Sequence, residues 1–271
     1  MPSQSLFVKA ANHLQQLRDL APTAVPDSRG AGPFAFLVAF FLWKQLDHAD
    51  AIVKLGLHRD ADLIARSMIE GLCQLKWAAQ DPDERGDRWR RFTWVHDWRL
   101  LQKKLGAGLP VPARLRKRIE EGVGKHAADF LKKKSKKGSG PHTSPSPSAT
   151  DPYVTHWSGT TVAALCSSVQ ARPLYEWAYS QFSDWHHWSP GGFLRATQRS
   201  GNRITFTVPE EEDALPTNVV AFQCLFETLE MANKTFDLGL ETELERTRDA
   251  YLRDLDPARS QARKSRARSD V

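Results

Sequence analysis

Apolar residues recur at helical spacing over most of the chain. Leu6, Phe7, Ala10, Leu14, Leu17 and Leu20 predict a helix over 3–20, which Pro22 ends. Residues 21–33, with three prolines and two glycines, read as a loop. From Phe34 to Leu55 the pattern is apolar all round at first and amphipathic later, a long helix that Gly56 closes. Leu63, Ile64, Met68, Ile69, Leu72 and Leu75 mark the next helix, which ends near Gln80. Beside that stripe runs a second one, with Arg66, Glu70, Cys73 and Trp77 at i, i+4, i+7 and i+11. Asp81-Pro82 supplies the N-cap and first position of a further helix carrying Trp89, Phe92, Val95, Leu100, Leu101 and Leu105. Arg114 to about Lys134 predicts a basic, weakly amphipathic helix.

Lys132 to Pro152 is a lysine cluster followed by Gly-Ser-Gly-Pro and Ser-Pro-Ser-Pro, a composition that cannot build a core and predicts disorder. Beyond it, His156-Trp157-Ser158 leads a short helix with Val162, Leu165 and Val169. Pro173 starts another, carrying Leu174, Trp177, Ala178, Gln181 and Phe182 and ending at Ser189-Pro190. Phe193 to Thr197 and Arg203 to Val208 read as a hairpin. A long helix over about 215–238 and a polar one to about Leu255 complete the pattern. The expectation is an all-α protein: a multi-helix bundle with one short β-hairpin and a disordered basic, Ser-Pro loop. Residues 1–131 supply its N-terminal helices and 153–240 complete the same bundle. Residues 132–152 form the linker, and 241–271 form a polar helix and basic tail.

At 271 residues with 41% hydrophobic content and nine Trp, the chain has the makings of a substantial core. Its longest apolar run, Phe34 to Trp43, is about half what a bilayer crossing needs. No N-terminal stretch has a signal-peptide layout. Cys73, Cys166 and Cys224 are odd in number, far apart in sequence and set in apolar patterns, so they read as reduced core thiols. A cytoplasmic protein with no membrane partner is expected. The formal charge of +6 is local. Arg114 to Lys137 holds ten basic and three acidic residues, and Arg259 to Arg268 adds five basic ones, so the rest is mildly acidic.

Tyr179, Ser183 and His187 lie at i, i+4 and i+8 on one helix face, with Tyr175 one turn earlier. Packed on Arg66 and Glu70, that face makes a polar cluster. It can hold a phosphate (Arg66), take a proton (His187 or Glu70) and donate hydrogen bonds (Tyr179, Ser183). The same groups can equally form a structural network that ties two helices together. Lys132, Lys133, Lys134, Lys136 and Lys137 are candidate contacts for RNA or another acidic partner, or a solubilising loop. His48, Asp47, Asp50 and the adjacent His186 and His187 lack metal-ligand spacing, and no cofactor fingerprint is present. Ser158 lacks the setting of a nucleophile elbow and reads as a cap for a helix beginning near Thr160.

Three segments together resemble a bacterial all-helical family known only as a domain of unknown function. They are Arg66-Ser-Met-Ile-Glu70, Asp81-Pro-Asp-Glu-Arg85 with Arg88 and Arg91, and Tyr175-x3-Tyr179-x3-Ser183-x3-His187. The resemblance spans roughly Leu37 to Leu238 and implies a helical fold without a known activity. Arg91 and His96, with Arg90, are spaced like the Arg and His of HEPN-type helical nucleases. With nine His in the chain, about two such spacings arise by chance. Phe92 also stands where that family commonly has a polar residue. Two functions are therefore expected: a non-catalytic interaction or self-association module, such as a homodimer, or a metal-independent ribonuclease-like enzyme of a toxin or phage-defence system using Arg66, Glu70 and His187.

Overall fold

The computed structural model describes residues 4–23, 25, 32–132, 151–187, 190–200 and 202–255. Lys133, Lys134, Lys136 and Lys137, most of the expected linker and the basic tail from 256 lie outside the described residues. The chain forms two compact units: residues 1–80 with 162–271, and residues 81–161. The division falls at Asp81 and Thr161.

In the first unit, helices α1 (Leu6–Leu20), α2 (Gly32–Leu55) and α3 (Asp60–Ala78) pack with α10 (Glu211–Phe236). The expected apolar stripes meet there. Leu14, Leu17, Leu37, Leu42, Met68, Ile69, Leu72, Leu75, Leu225 and Leu229 are all fully or almost fully buried. At roughly 1.5–3 kcal/mol per large apolar side chain, this packing dominates the stability of the unit. Two polar side chains bridge helices inside it: Gln45 Nε2 donates to the Met68 carbonyl (2.9 Å) and His48 Nε2 meets Ser67 Oγ (3.2 Å). Both tie α2 to α3. A Glu210/Asp213 capping box starts α10 earlier than expected, with Pro216 tolerated near its start. Helix α11 (Glu241–Leu255) lies on α1, where the Tyr251 ring stacks on Phe222 (3.8 Å) and His13 pairs with Asp254 (3.0 Å).

After α3 the first unit resumes with α6 (Val162–Ser168) and α7 (Arg172–Leu174). A π turn over Tyr175–Tyr179 and α8 (Ser180–His186) continue the same rod. Pro190–Arg195 is a short helix, α9, where the sequence predicts the first strand of the hairpin. The strands are β1 (Thr197–Ser200) and β2 (Arg203–Phe206), antiparallel, with Thr197 opposite Phe206 and Arg199 opposite Ile204. The pairing thus starts later than the apolar pattern implies. Gly192 is buried and the Ala196 N–H bonds the Gly192 and Phe193 carbonyls, which commits that stretch to a helical turn.

The second unit is built on α4 (Pro82–Gly106) and α5 (Ala113–His126). The basic helix stops at His126, short of the expected Lys134, because the chain turns to bury Phe130. Phe130 forms a core with Val95, Ala127 and Tyr153, against which Phe92, Trp98, Val123 and Val154 pack. Leu131 and Tyr153 form an antiparallel bridge. Arg99 bonds the Asp151 carboxylate (2.8 Å) and the Tyr153 and Val154 carbonyls, closing the base of the segment between 132 and 151.

Candidate functional site

The expected cluster assembles in part. Helix α3 packs on the π turn and on α8. Arg66 Nη2 donates to the Tyr179 hydroxyl at 2.8 Å, and the guanidinium also lies over the Tyr179 ring, 4.6 Å from its centroid. Tyr179 is buried and its ring stacks on Tyr175 (4.9 Å). Burial pushes the Tyr179 phenol up, against the opposing influence of Arg66, so the ring stays neutral. Arg66 has no carboxylate partner among the described residues, and its Nε is buried without a hydrogen bond. Glu70 accepts instead from Gln74, one turn on, at 3.3 Å.

The other two members are placed differently. Ser183 Oγ donates back to the Tyr179 carbonyl (2.6 Å), a local bond that uses its proton. His187 is exposed, and its N–H bonds the Ser183 carbonyl (3.0 Å). Both bonds keep Tyr179, Ser183 and His187 in α-helical register, so the stripe itself is regular. The Ser180 N–H reaches back five residues to Tyr175, widening the helix just before the predicted stripe.

Next to Glu70, Cys73 and Cys166 are both buried with their sulfurs 3.0 Å apart. The hydrogen bond shared with Cys166, then burial, pushes the Cys73 thiol up, and burial does the same for Cys224. The bond with Cys73 lowers the Cys166 thiol instead, and all three cysteines are free and buried, as expected of core cysteines.

Sequence reasoning missed a cavity of ≈ 210 Å³. Its walls include Arg59 at the N-cap of α3, Asp62 of α3, Phe182 of α8, and Glu212, Pro216 and Thr217 of α10; Arg66, Glu70 and Tyr179 are not among its lining residues. Arg59 donates to the Thr207 carbonyl (2.8 Å) and Oγ1 (3.0 Å), and the Thr217 hydroxyl bonds Asp62. The polar first turn of α3 was its only sequence signal.

In the second unit, Arg91 is held by Asp87 (2.7 Å) and Asp129 (2.5 Å), and Arg90 also pairs with Asp87 (2.7 Å). A guanidinium committed to two carboxylates is not poised for a phosphate, and His96 is exposed. Ser158 Oγ lies 2.6 Å from His156 Nδ1 and accepts from the Thr160 N–H (3.4 Å). It serves this turn, since α6 begins only at Val162. Lys132 donates to the Asp151 carbonyl (2.9 Å). No group of three or more His, Cys, Asp or Glu suited to a metal occurs among the described residues. No described helix is long and apolar enough to cross a membrane.

No curated protein and no solved structure matches the chain. Residues 35–204, a span that takes in α3, the whole second unit and the π turn, match the family of unknown function DUF5677, and the chain belongs to that family.

Proposed function

We propose that the protein is a non-catalytic self-association module in which the Arg66–Tyr179 contact is a structural tie between α3 and the π turn. The observation that carries this reading is an apolar surface over α9 and the hairpin. Phe193 (46%), Leu194 (70%), Ile204 (60%), Phe206 (74%) and Val208 (80%) are all exposed. Ile204, Phe206 and Val208 alternate along the strand direction and share one face, and the Phe193 and Phe206 rings meet edge to face at 6.3 Å. A fully buried aromatic covers about 150–250 Å², so these five side chains leave on the order of 500 Å² open. Two such faces together reach about 1,000 Å², the lower bound for a specific interface. The occupant favoured is a second copy of this chain, because a two-stranded sheet also leaves strand edges that an antiparallel copy can pair.

Light scattering coupled to size exclusion, across a dilution series, tests this. The wild type is expected as a dimer that dissociates on dilution, and Phe206→Ser with Val208→Ser as a monomer with unchanged circular dichroism. A wild type that is monomeric at every concentration sinks the proposal.

One observation favours a second reading, a metal-independent phosphate-directed enzyme using Arg66, Glu70 and His187. Arg66 has no carboxylate partner among the described residues and an unused Nε. RNA cleavage in EDTA by the wild type, lost in both Arg66→Ala and His187→Ala but kept in His96→Ala, would replace the first reading with this one.

A further inference from the structure

The second unit carries a surface of another kind at the tip of the α4–α5 hairpin. Between Asp97 and Glu120 the chain has no Asp or Glu, while seven Lys and Arg fall in that interval. Three of these are engaged: Arg99 with Asp151, Arg116 with Glu120 and Lys117 with Glu121. Lys103, Lys104, Arg114 and Arg118 are exposed and have no partner among the described residues. The loop between Gly106 and Ala113 is short, so the last turn of α4 and the first turns of α5 share one end of the hairpin. Leu105 (36% exposed) and Leu109 (53%) stand at that end, with Leu100 (47%) further up α4. Gly108, at φ +67°, and the bond from the Leu109 N–H to the Lys104 carbonyl (2.9 Å) close α4. That cap satisfies the backbone yet leaves the Leu109 side chain half in water.

We infer that this tip is a peripheral docking surface for an anionic lipid bilayer. Cations alone suit any polyanion. The leucines decide the matter, because an aliphatic side chain gains nothing from a phosphate backbone and does gain by entering the acyl boundary beneath anionic headgroups. Single-stranded nucleic acid rewards stacking aromatics, and none lies between Arg99 and Arg118. Each basic residue beside an anionic leaflet strengthens partition about fivefold, so four reach several hundredfold at most, and the effect fades with salt. This is contact with one leaflet, not insertion of a spanning helix.

The test uses the full-length protein in vesicle flotation. The vesicles are phosphatidylcholine alone, or phosphatidylcholine with about one third phosphatidylglycerol. Oligouridylate binding is measured alongside by fluorescence anisotropy. Binding is expected to the anionic vesicles only, about 25-fold weaker in Lys103→Gln with Lys104→Gln. It is expected to be about tenfold weaker in Leu105→Ser with Leu109→Ser, with no loss of helicity. Equal binding to neutral vesicles, or no binding to anionic ones at low salt, would overturn the inference. So would leucine variants that bind like the wild type, or oligouridylate binding without vesicle binding, which would make the tip a nucleic-acid site.

Discussion

Gly122 sits in the interior of α5, where glycine is normally a weakness worth about 1 kcal/mol relative to alanine. Here its missing side chain is occupied by a neighbour. A Cβ at Gly122 would lie 2.2, 2.3 and 2.5 Å from three atoms of the Trp94 ring, and contacts under 3.0 Å are essentially never seen. The ring has little freedom to withdraw, because its other partner is the stacked His126 imidazole at 6.0 Å. Overpacking of this kind costs about 1–3 kcal/mol, and the required shift of roughly 1 Å in a rigid ring belongs at the upper end. Subtracting the propensity gain leaves Gly122→Ala destabilising by about 2 kcal/mol. Native-state hydrogen exchange is the suitable assay because it reads α5 by itself. Protection of the α5 amides is expected to fall about 30-fold. In a Trp94→Leu background the clash is gone and only propensity remains, so the same substitution is expected to raise protection there by up to about fivefold. A Gly122→Ala variant as protected as the wild type, or no change of sign in the Trp94→Leu background, would refute the close-approach argument.

Tyr179→Phe removes the only hydrogen bond Arg66 makes among the described residues and is expected to cost about 1–2 kcal/mol in urea unfolding. His187→Ala, at an exposed position, is expected to stay within about 0.5 kcal/mol. The Asp87 carboxyl is held below its ordinary value of 3.8, chiefly by its hydrogen bond from Arg90. A depressed carboxylate stabilises the fold above that value and stops doing so as pH falls through the lower folded value. Asp87→Asn should therefore melt lower than the wild type at neutral pH, with the difference shrinking below pH 3.8; a constant difference across that range would count against it. The buried thiols of Cys73, Cys166 and Cys224 are expected to resist an aromatic disulfide reagent in the folded protein and to react fully in denaturant. Rapid labelling of any one in the folded state would contradict their burial.

The helices were legible wherever one face had to be buried, because a periodic stripe records that burial directly. The α1, α2, α3 and α10 stripes all end in the core. Elements whose limits are set by distant partners were not legible. Nothing in the residues from Lys125 to Lys134 says that α5 must stop so that Phe130 can meet Tyr153, 23 positions later. Nor does Phe193 to Thr197 announce that its first half closes a helical turn. Arg66 and Tyr179 could be paired from sequence because each lies on a regular stripe of its own helix. His187 could not be placed, because α8 ends at His186, one residue before it, and the periodic pattern does not mark that end. The cavity beside Asp62 was invisible for a related reason, since its walls come from segments more than a hundred residues apart.

Arg66 separates the two functional readings. A guanidinium with no carboxylate partner among the described residues, half-buried beside a tyrosine, is costly to keep unless the ring and its hydroxyl offset the desolvation or a ligand does. If the tie is purely structural, an uncharged side chain of similar length should serve nearly as well. Arg66→Met is then expected to lie within about 1 kcal/mol of the wild type, because packing replaces both the charge and the need to solvate it. In that case inorganic phosphate should move the melting temperatures of the two proteins equally. If Arg66 holds an anion, phosphate binds the native state alone and raises the wild-type melting temperature by mass action, leaving Arg66→Met unmoved. Arg66→Lys sharpens the contrast: it keeps the charge but loses the planar fork that bonds the hydroxyl and lies over the ring. A structural tie predicts that Lys is worse than Met, whereas an anion site predicts that Lys retains part of the phosphate response. A phosphate shift in the wild type that is partly kept by Lys and abolished by Met would overturn the structural account of this contact.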